Sequence, residues 1–153
     1  MSGDRRMDVS LKSIKGLNVY EKDCSEPSGR IKGVCFSKDR NRIDAVLVET
    51  LSLIPLSKKF FMEEFGEICD KKVFLKDGVS VQSAKSKKEE DISEEKISGA
   101  CCTGCNVQKI SDMQFDFDTG EINCIILDNG IFKKKDKVKI NKMHIKDNTI
   151  YIK

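Results

Sequence analysis

Cys101-Cys102-Thr103-Gly104-Cys105 is the one place in the chain where metal-ligating residues crowd together. Thiolates at this spacing can share a zinc ion or an iron–sulfur cluster. Structural zinc takes four ligands, usually as two close pairs, and a second Cys-x-x-Cys pair is absent. Cys69, Cys124 and His144 join such a site only if the fold brings them there. The expectation is therefore that these thiols are structural, with a thiol–metal protein as the alternative. His144 is the only histidine, and a catalytic triad needs a histidine base. It sits in Lys142-Met143-His144-Ile145, before the last strand-like run, where a surface or half-buried position is expected. No Walker-type glycine-rich loop is present, and no carboxylate pair is flanked by apolar residues in a way that would raise a pKa. No catalytic, cofactor-binding or metal-binding residue is assigned, no cofactor is expected, and the chain reads as a non-enzyme.

Charge narrows the partners. The 153 residues carry 28 basic and 25 acidic side chains, a net charge of +3. So even a balance predicts no strong nucleic-acid binding from charge alone. Lys133, Lys134, Lys135, Lys137 and Lys139 form a local exception. They read as a solvated loop and an edge strand guarded by lysines. The alternative is a phosphate-contacting patch, although aromatics for stacking bases are scarce nearby. The Met1 segment lacks an apolar core of signal-peptide length, and no apolar run approaches the roughly 20 residues that span a bilayer. With seven irregularly spaced cysteines, several inside apolar runs, the expected state is reduced thiol and the expected compartment the cytoplasm.

The elements that carry these residues occur twice. Laid without a gap on Ile110–Asp128, the segment Ile31–Glu49 puts Val34 on Met113, Phe36 on Phe115 and Ile43 on Ile122. Val46, Leu47 and Val48 then fall on Ile125, Ile126 and Leu127. The mismatches are Cys35 on Gln114 and Lys38 on Phe117. Downstream, Ile68–Leu75 lies over Ile145–Ile152. Upstream, Gly16 corresponds to Gly99, with extra residues around Cys24 to Pro27 in the first copy. Matching blocks in one order point to an internal repeat.

Each copy reads as β. The run Ile31–Phe36 is short and rich in branched and aromatic residues. Arg40-Asn41 and Asp118-Thr119-Gly120 supply turn chemistry between strand-like runs. Ala45–Val48 and Cys124–Leu127 are continuously apolar, which predicts burial on both faces. Lys76-Asp77-Gly78 predicts another hairpin, between Val73–Leu75 and Val79–Val81. Ser57–Phe65 followed by Gly66 predicts one short helix, capped by Ser57 and ended by Gly66. The stretch 82–96 is polar apart from Ile92 and reads as a charged linker or frayed helix.

At these blocks the sequence resembles the PRC-barrel family, which includes the cytoplasmic domain of the photosynthetic reaction centre H subunit and a domain of a ribosome maturation factor. Gly16 and Gly99 match the family's opening glycine. Ile31–Phe36 and Ile110–Phe115 match its first core strand, Ser111-Asp112 its usual polar pair, and Ile68-Cys69-Asp70 and Ile145-Lys146-Asp147 its closing element. Lys32-Gly33 departs from the pattern where the second copy has Ser111-Asp112. The cysteine cluster falls on an ordinary strand and turn of the family.

The resemblance implies an all-β protein of two small open barrels in tandem, about six strands each, with a short helix in the first. Residues 8–81 form the first barrel, 82–96 the linker and 97–153 the second. It further implies a binding or scaffold module that docks onto another macromolecule, expected to be a protein, through a sheet face or by strand addition at an edge. An RNA- or ribosome-associated factor is the alternative, and self-association remains open. Small barrels are near the lower size limit for a stable core, so the second copy is expected to depend on the first, and the first to fold alone.

Overall fold

A computed structural model describes residues 8–37, 41–81, 92–102, 106–128 and 135–153. Strand β1 (Asp8–Ser10) runs into a one-turn helix, α1 (Leu11–Ile14), whose N-terminus is capped by the Ser10 hydroxyl accepting from Ser13 N. Gly16, at φ +87°, turns the chain into β2 (Asn18–Tyr20). Strands β3 (Gly29–Phe36), β4 (Ile43–Thr50), β5 (Ser57–Phe61), β6 (Phe65–Cys69) and β7 (Lys72–Leu75) follow. The second half holds β8 (Ile92–Ser93), β9 (Gly99–Cys102), β10 (Lys109–Asp116), β11 (Ile122–Asp128), β12 (Lys135–Lys139), β13 (Met143–Lys146) and β14 (Thr149–Ile152).

The class is all-β. The strands form three sheets, none closed into a barrel. One runs β5-β4-β3-β2-β7-β6, with β8 added to β3. The others run β1-β10-β11-β12 and β13-β14-β9. These two are joined at Ala100 and Gln108, whose backbones exchange hydrogen bonds of 2.9 and 2.8 Å. Through that bridge the second half follows the order β12-β11-β10-β9-β14-β13, the order of β5 to β6 in the first.

Register agrees with order. Phe36 opposes Ile43 as Phe115 opposes Ile122. The β3–β4 ladder shifts between Ile31 and Gly33 and again between Cys35 and Phe36. The β10–β11 ladder shifts between Ile110 and Asp112 and between Gln114 and Phe115, the aligned positions. β2 pairs parallel with β7, and β9 parallel with β14. The closing hairpins turn through Asp70-Lys71 and Asp147-Asn148, all four at positive φ, where short polar side chains are best tolerated.

The halves interlock. β1 leads into β2 yet pairs with β10, with Val9 opposite Phe115. β8 leads into β9 yet pairs with β3, with Ile92 opposite Phe36. Each half thus lends its opening strand to the other. At the junction Ile43 N donates to Gly120 O at 2.7 Å and Ile122 N to Asn41 O at 2.9 Å, a reciprocal pair. Gly120 has φ +80°, and a Cβ there would lie 2.0 Å from Ile43 O, so only glycine fits. Phe117 packs edge-on against Phe65 across the junction, ring centroids 5.4 Å apart. This explains the aligned mismatch of Phe117 with a lysine: Phe117 fills a contact between halves, while Lys38 lies outside the described residues. One apolar core runs through both halves, from Ile14, Val34 and Phe60 to Met113, Phe115 and Ile150.

The departure at Gly33 also has a physical reason. In the second half Asp112 turns its carboxylate onto Met113 N at 2.8 Å, satisfying an amide left over at the bulge, and accepts from Lys12 N of the lent segment at 3.0 Å. In the first half the aligned amide, Val34 N, donates instead to Glu94 Oε1 at 2.9 Å. Glu94 arrives on the segment lent by the second half. A Cβ on Gly33 would lie 2.4 Å from Glu94 Oε1. The glycine leaves room for a carboxylate that the strand itself lacks, and Lys15 pairs with the same carboxylate.

Three expectations are corrected. The helix over Ser57–Phe65 is absent; β5, a 3-10 turn at Met62–Glu64 and β6 stand there. Pairing with β4 puts Phe60 opposite Val46 in full burial and overrides the local helical pattern. The turn at Lys76-Asp77-Gly78 forms, with Val79 N donating to Lys76 O at 3.1 Å, but Val79–Val81 makes no strand. Within the expected linker 82–96, residues 82–91 lie outside the described residues, while Ile92–Lys96 forms β8 and a 3-10 turn packed on β3.

Candidate docking surface

The cysteine cluster is split by its own strand. Cys101 and Cys102 are neighbours on β9, both half-buried, and successive side chains of a strand point to opposite faces. Cys102 packs against the core. Cys105 lies outside the described residues. Among the described residues no group of three or more His, Cys, Asp or Glu is placed to hold a metal ion. Cys124 is buried on β11, its thiol 3.3 Å from Gln114 Oε1, and Cys69 is exposed at the end of β6. Among the described residues the fold does not gather these groups. His144 is exposed on β13 and stacks on Tyr151, its cross-strand partner, at 5.1 Å.

The lysine stretch is partly described. Lys133 and Lys134, and the side chain of Lys135, lie outside the described residues. Lys137 and Lys139 are exposed on β12, an edge of its sheet. Their backbones pair with Ile126 and Cys124 of β11, and among the described residues no strand pairs with the far side. Such lysines discourage edge-to-edge pairing.

The most unusual surface lies elsewhere. The loop joining β4 to β5 exposes Leu51, Leu53, Ile54 and Leu56, with Leu53 wholly exposed and Ile54 at 77%. The sequence reading does not single it out, because an apolar run between strands looks like core until exposure is known. The available signal is Leu53-Ile54-Pro55: proline is an unlikely member of a paired strand. The loop is internally tied. Thr50 N donates to Leu56 O at 2.8 Å, Leu56 N to Thr50 Oγ1 at 2.9 Å and the Ser52 hydroxyl to Ile54 O at 2.7 Å. It is a built protrusion that presents aliphatic side chains to water.

Beside the loop is a cleft of about 450 Å³ lined by Glu21, Pro27, Ser28, Leu51, Leu56 and Val81, among others. Hydrogen bonds from the Ser28 and then the Ser80 hydroxyl hold the Glu21 carboxyl below its ordinary range, with a further one from Val81 backbone. The Ser28 bond is 2.8 Å. A smaller cavity, about 260 Å³, lies where the two lent segments cross, bounded by Leu11, Phe36, Ile97 and Met113. Its Lys15 and Glu94 are engaged with each other.

No family model and no curated protein matches this chain. Among the described residues no helix is long and apolar enough to cross a membrane.

Proposed function

We propose that the chain is a non-catalytic docking module, made of two PRC-barrel-like halves that interlock by exchanging their opening strands, and that it holds another macromolecule in the cytoplasm. The duplicated reading is supported by the shared strand order, the shared bulge positions and the reciprocal hydrogen bonds at the junction. The docking reading rests on one observation: an internally hydrogen-bonded loop that exposes four large aliphatic side chains. Contiguous exposed apolar surface on an otherwise charged chain marks an interaction site. The sheet edge at β6 offers further room for a protein partner by strand addition.

The test compares the native chain with the variant Leu53→Ser/Ile54→Ser by gel filtration of extract from the native cell. Both residues are exposed, so the variant keeps its fold. The native chain is expected to elute with a larger assembly, and the variant near its own 17.3 kDa. Identical elution of the two overturns the docking reading.

Exposed Lys137 and Lys139 favour the second reading, an RNA- or ribosome-associated factor. A steep fall of RNA affinity with salt, abolished by Lys137→Ser/Lys139→Ser, is its signature.

A further inference from the structure

We infer that the occupant of the Leu51–Leu56 loop is an anionic lipid surface, into which Leu53 and Ile54 insert; this rests on the docking reading above. Three observations carry it. The first is composition. Protein interfaces concentrate their binding energy in tryptophan, tyrosine and arginine, with leucine under-represented. The loop tip is Leu53-Ile54-Pro55, with only leucine and serine on either side. Leu53 is fully exposed and Ile54 largely so, as an insertion tip requires.

The second observation is charge. Arg30 and Lys32 on β3 and Lys59 on β5 stand on one face of the sheet at the root of the loop, against Glu49 on β4 between them. Arg30 lies opposite Glu49, and Lys32 reaches Ser57 at 3.5 Å, which places it beside the start of β5. Lys58 stands on the other face, opposite buried Val48, where it shares the cleft with Leu51, Leu56 and the Glu21 carboxylate. A net positive root beneath an apolar tip is complementary to a layer of anionic headgroups above acyl chains. Each lysine near such a surface contributes roughly a threefold to tenfold gain in affinity.

The third observation is the backbone. Polar main-chain groups are costly in hydrocarbon unless bonded internally. Ile54 O at the tip is bonded by the Ser52 hydroxyl, and Thr50 closes the root through both Leu56 N and Leu56 O. These bonds tie the root of the loop and the carbonyl of Ile54 internally.

The probe is vesicles of phosphatidylcholine alone or mixed with phosphatidylglycerol, in a sedimentation assay with the full chain. The chain is expected to sediment with the mixed vesicles and to stay in solution with phosphatidylcholine alone. Leu53→Ser/Ile54→Ser should lower affinity about a hundredfold, from loss of two aliphatic insertions. Lys32→Ser/Lys59→Ser, which leaves the tip intact, should lower it about thirtyfold. Failure of the native chain to sediment with either vesicle, or undiminished binding by the tip variant, overturns the lipid assignment. If vesicle binding fails but the tip variant still leaves the large assembly in cell extract, the docking reading stands and the occupant is a protein. If both fail, both readings fall.

Discussion

Replacing Glu94 by alanine tests the interlocking of the halves at a single carboxylate. Val34 is fully buried, and its amide has Glu94 Oε1 as acceptor at 2.9 Å. Removing that acceptor leaves a buried donor unsatisfied, which costs about 1–3 kcal/mol. The Lys15 pair, with the lysine side chain 43% exposed, adds at most about 1 kcal/mol. Glu94→Ala is therefore expected to cost about 1–4 kcal/mol and to lower the thermal midpoint by about 2–16 °C for a chain of this size. The second half shows the remedy, because Asp112 serves Met113 N from its own strand. Gly33→Asp should place a carboxylate in the same relation to Val34 N once Glu94 is gone. The double variant Gly33→Asp/Glu94→Ala should recover most of the lost stability. Gly33→Asp alone should be destabilised, since a Cβ there meets Glu94 Oε1. Chemical denaturation of the four proteins closes a double-mutant cycle. A neutral Glu94→Ala, or a double variant no more stable than Glu94→Ala, refutes the reasoning.

Other outcomes follow from the same contacts. Deleting residues 1–14 removes Leu11 and Ile14, both buried, at a cost of about 3–6 kcal/mol. Faster amide exchange should then appear in β10, the strand that β1 covers, before it appears in β2; exchange confined to β2 contradicts the strand exchange. Neither 1–82 nor 92–153 alone should melt cooperatively at the midpoint of the whole chain, since each lacks a lent strand, and circular dichroism melts of the two fragments decide this. Cys24 and Cys69 are exposed while Cys35 and Cys124 are buried, so a thiol reagent should modify the first two fast and the last two at the rate of opening. Equal rates, read by mass spectrometry, would mean that the strands are misplaced. Glu21 titrates below its ordinary 4.5 in the folded state. Its contribution to stability is complete above that value and is lost as pH falls through the lower folded value. Glu21→Gln should remove that contribution, lowering stability at neutral pH, leaving strong acid little changed and flattening the profile between.

Much of the fold was legible because strand pairing writes itself into apolar spacing. The alignment of Ile31–Glu49 with Ile110–Asp128 places Phe36 and Phe115 in equivalent ladders, bulges included. The closing hairpins follow from Ile68-Cys69-Asp70 and Ile145-Lys146-Asp147. The exchange of opening strands was not legible. β1 and β8 are too short to show a period of two, and only the tertiary structure reveals whose edge they cover. Ser57–Phe65 misled because Phe60, Met62 and Phe65 suit a helix as well as they suit β5 and β6, and the edge of β4 decides between them. The exposed loop between β4 and β5 was hidden for a related reason. Leu51, Leu53, Ile54 and Leu56 are the residues a reader assigns to a core, and nothing local announces that the hairpin carries them into solvent. The cysteine cluster drew attention by residue type, yet strand alternation parts Cys101 from Cys102.

The most direct measurement is site-specific photo-crosslinking in the native cell, with a photoreactive amino acid at Leu53 and, as control, at His144 on the exposed face of β13. The account predicts a strong adduct from position 53, with lipid or with one defined partner, and none of that kind from position 144. Equal, weak labelling at both positions would contradict it.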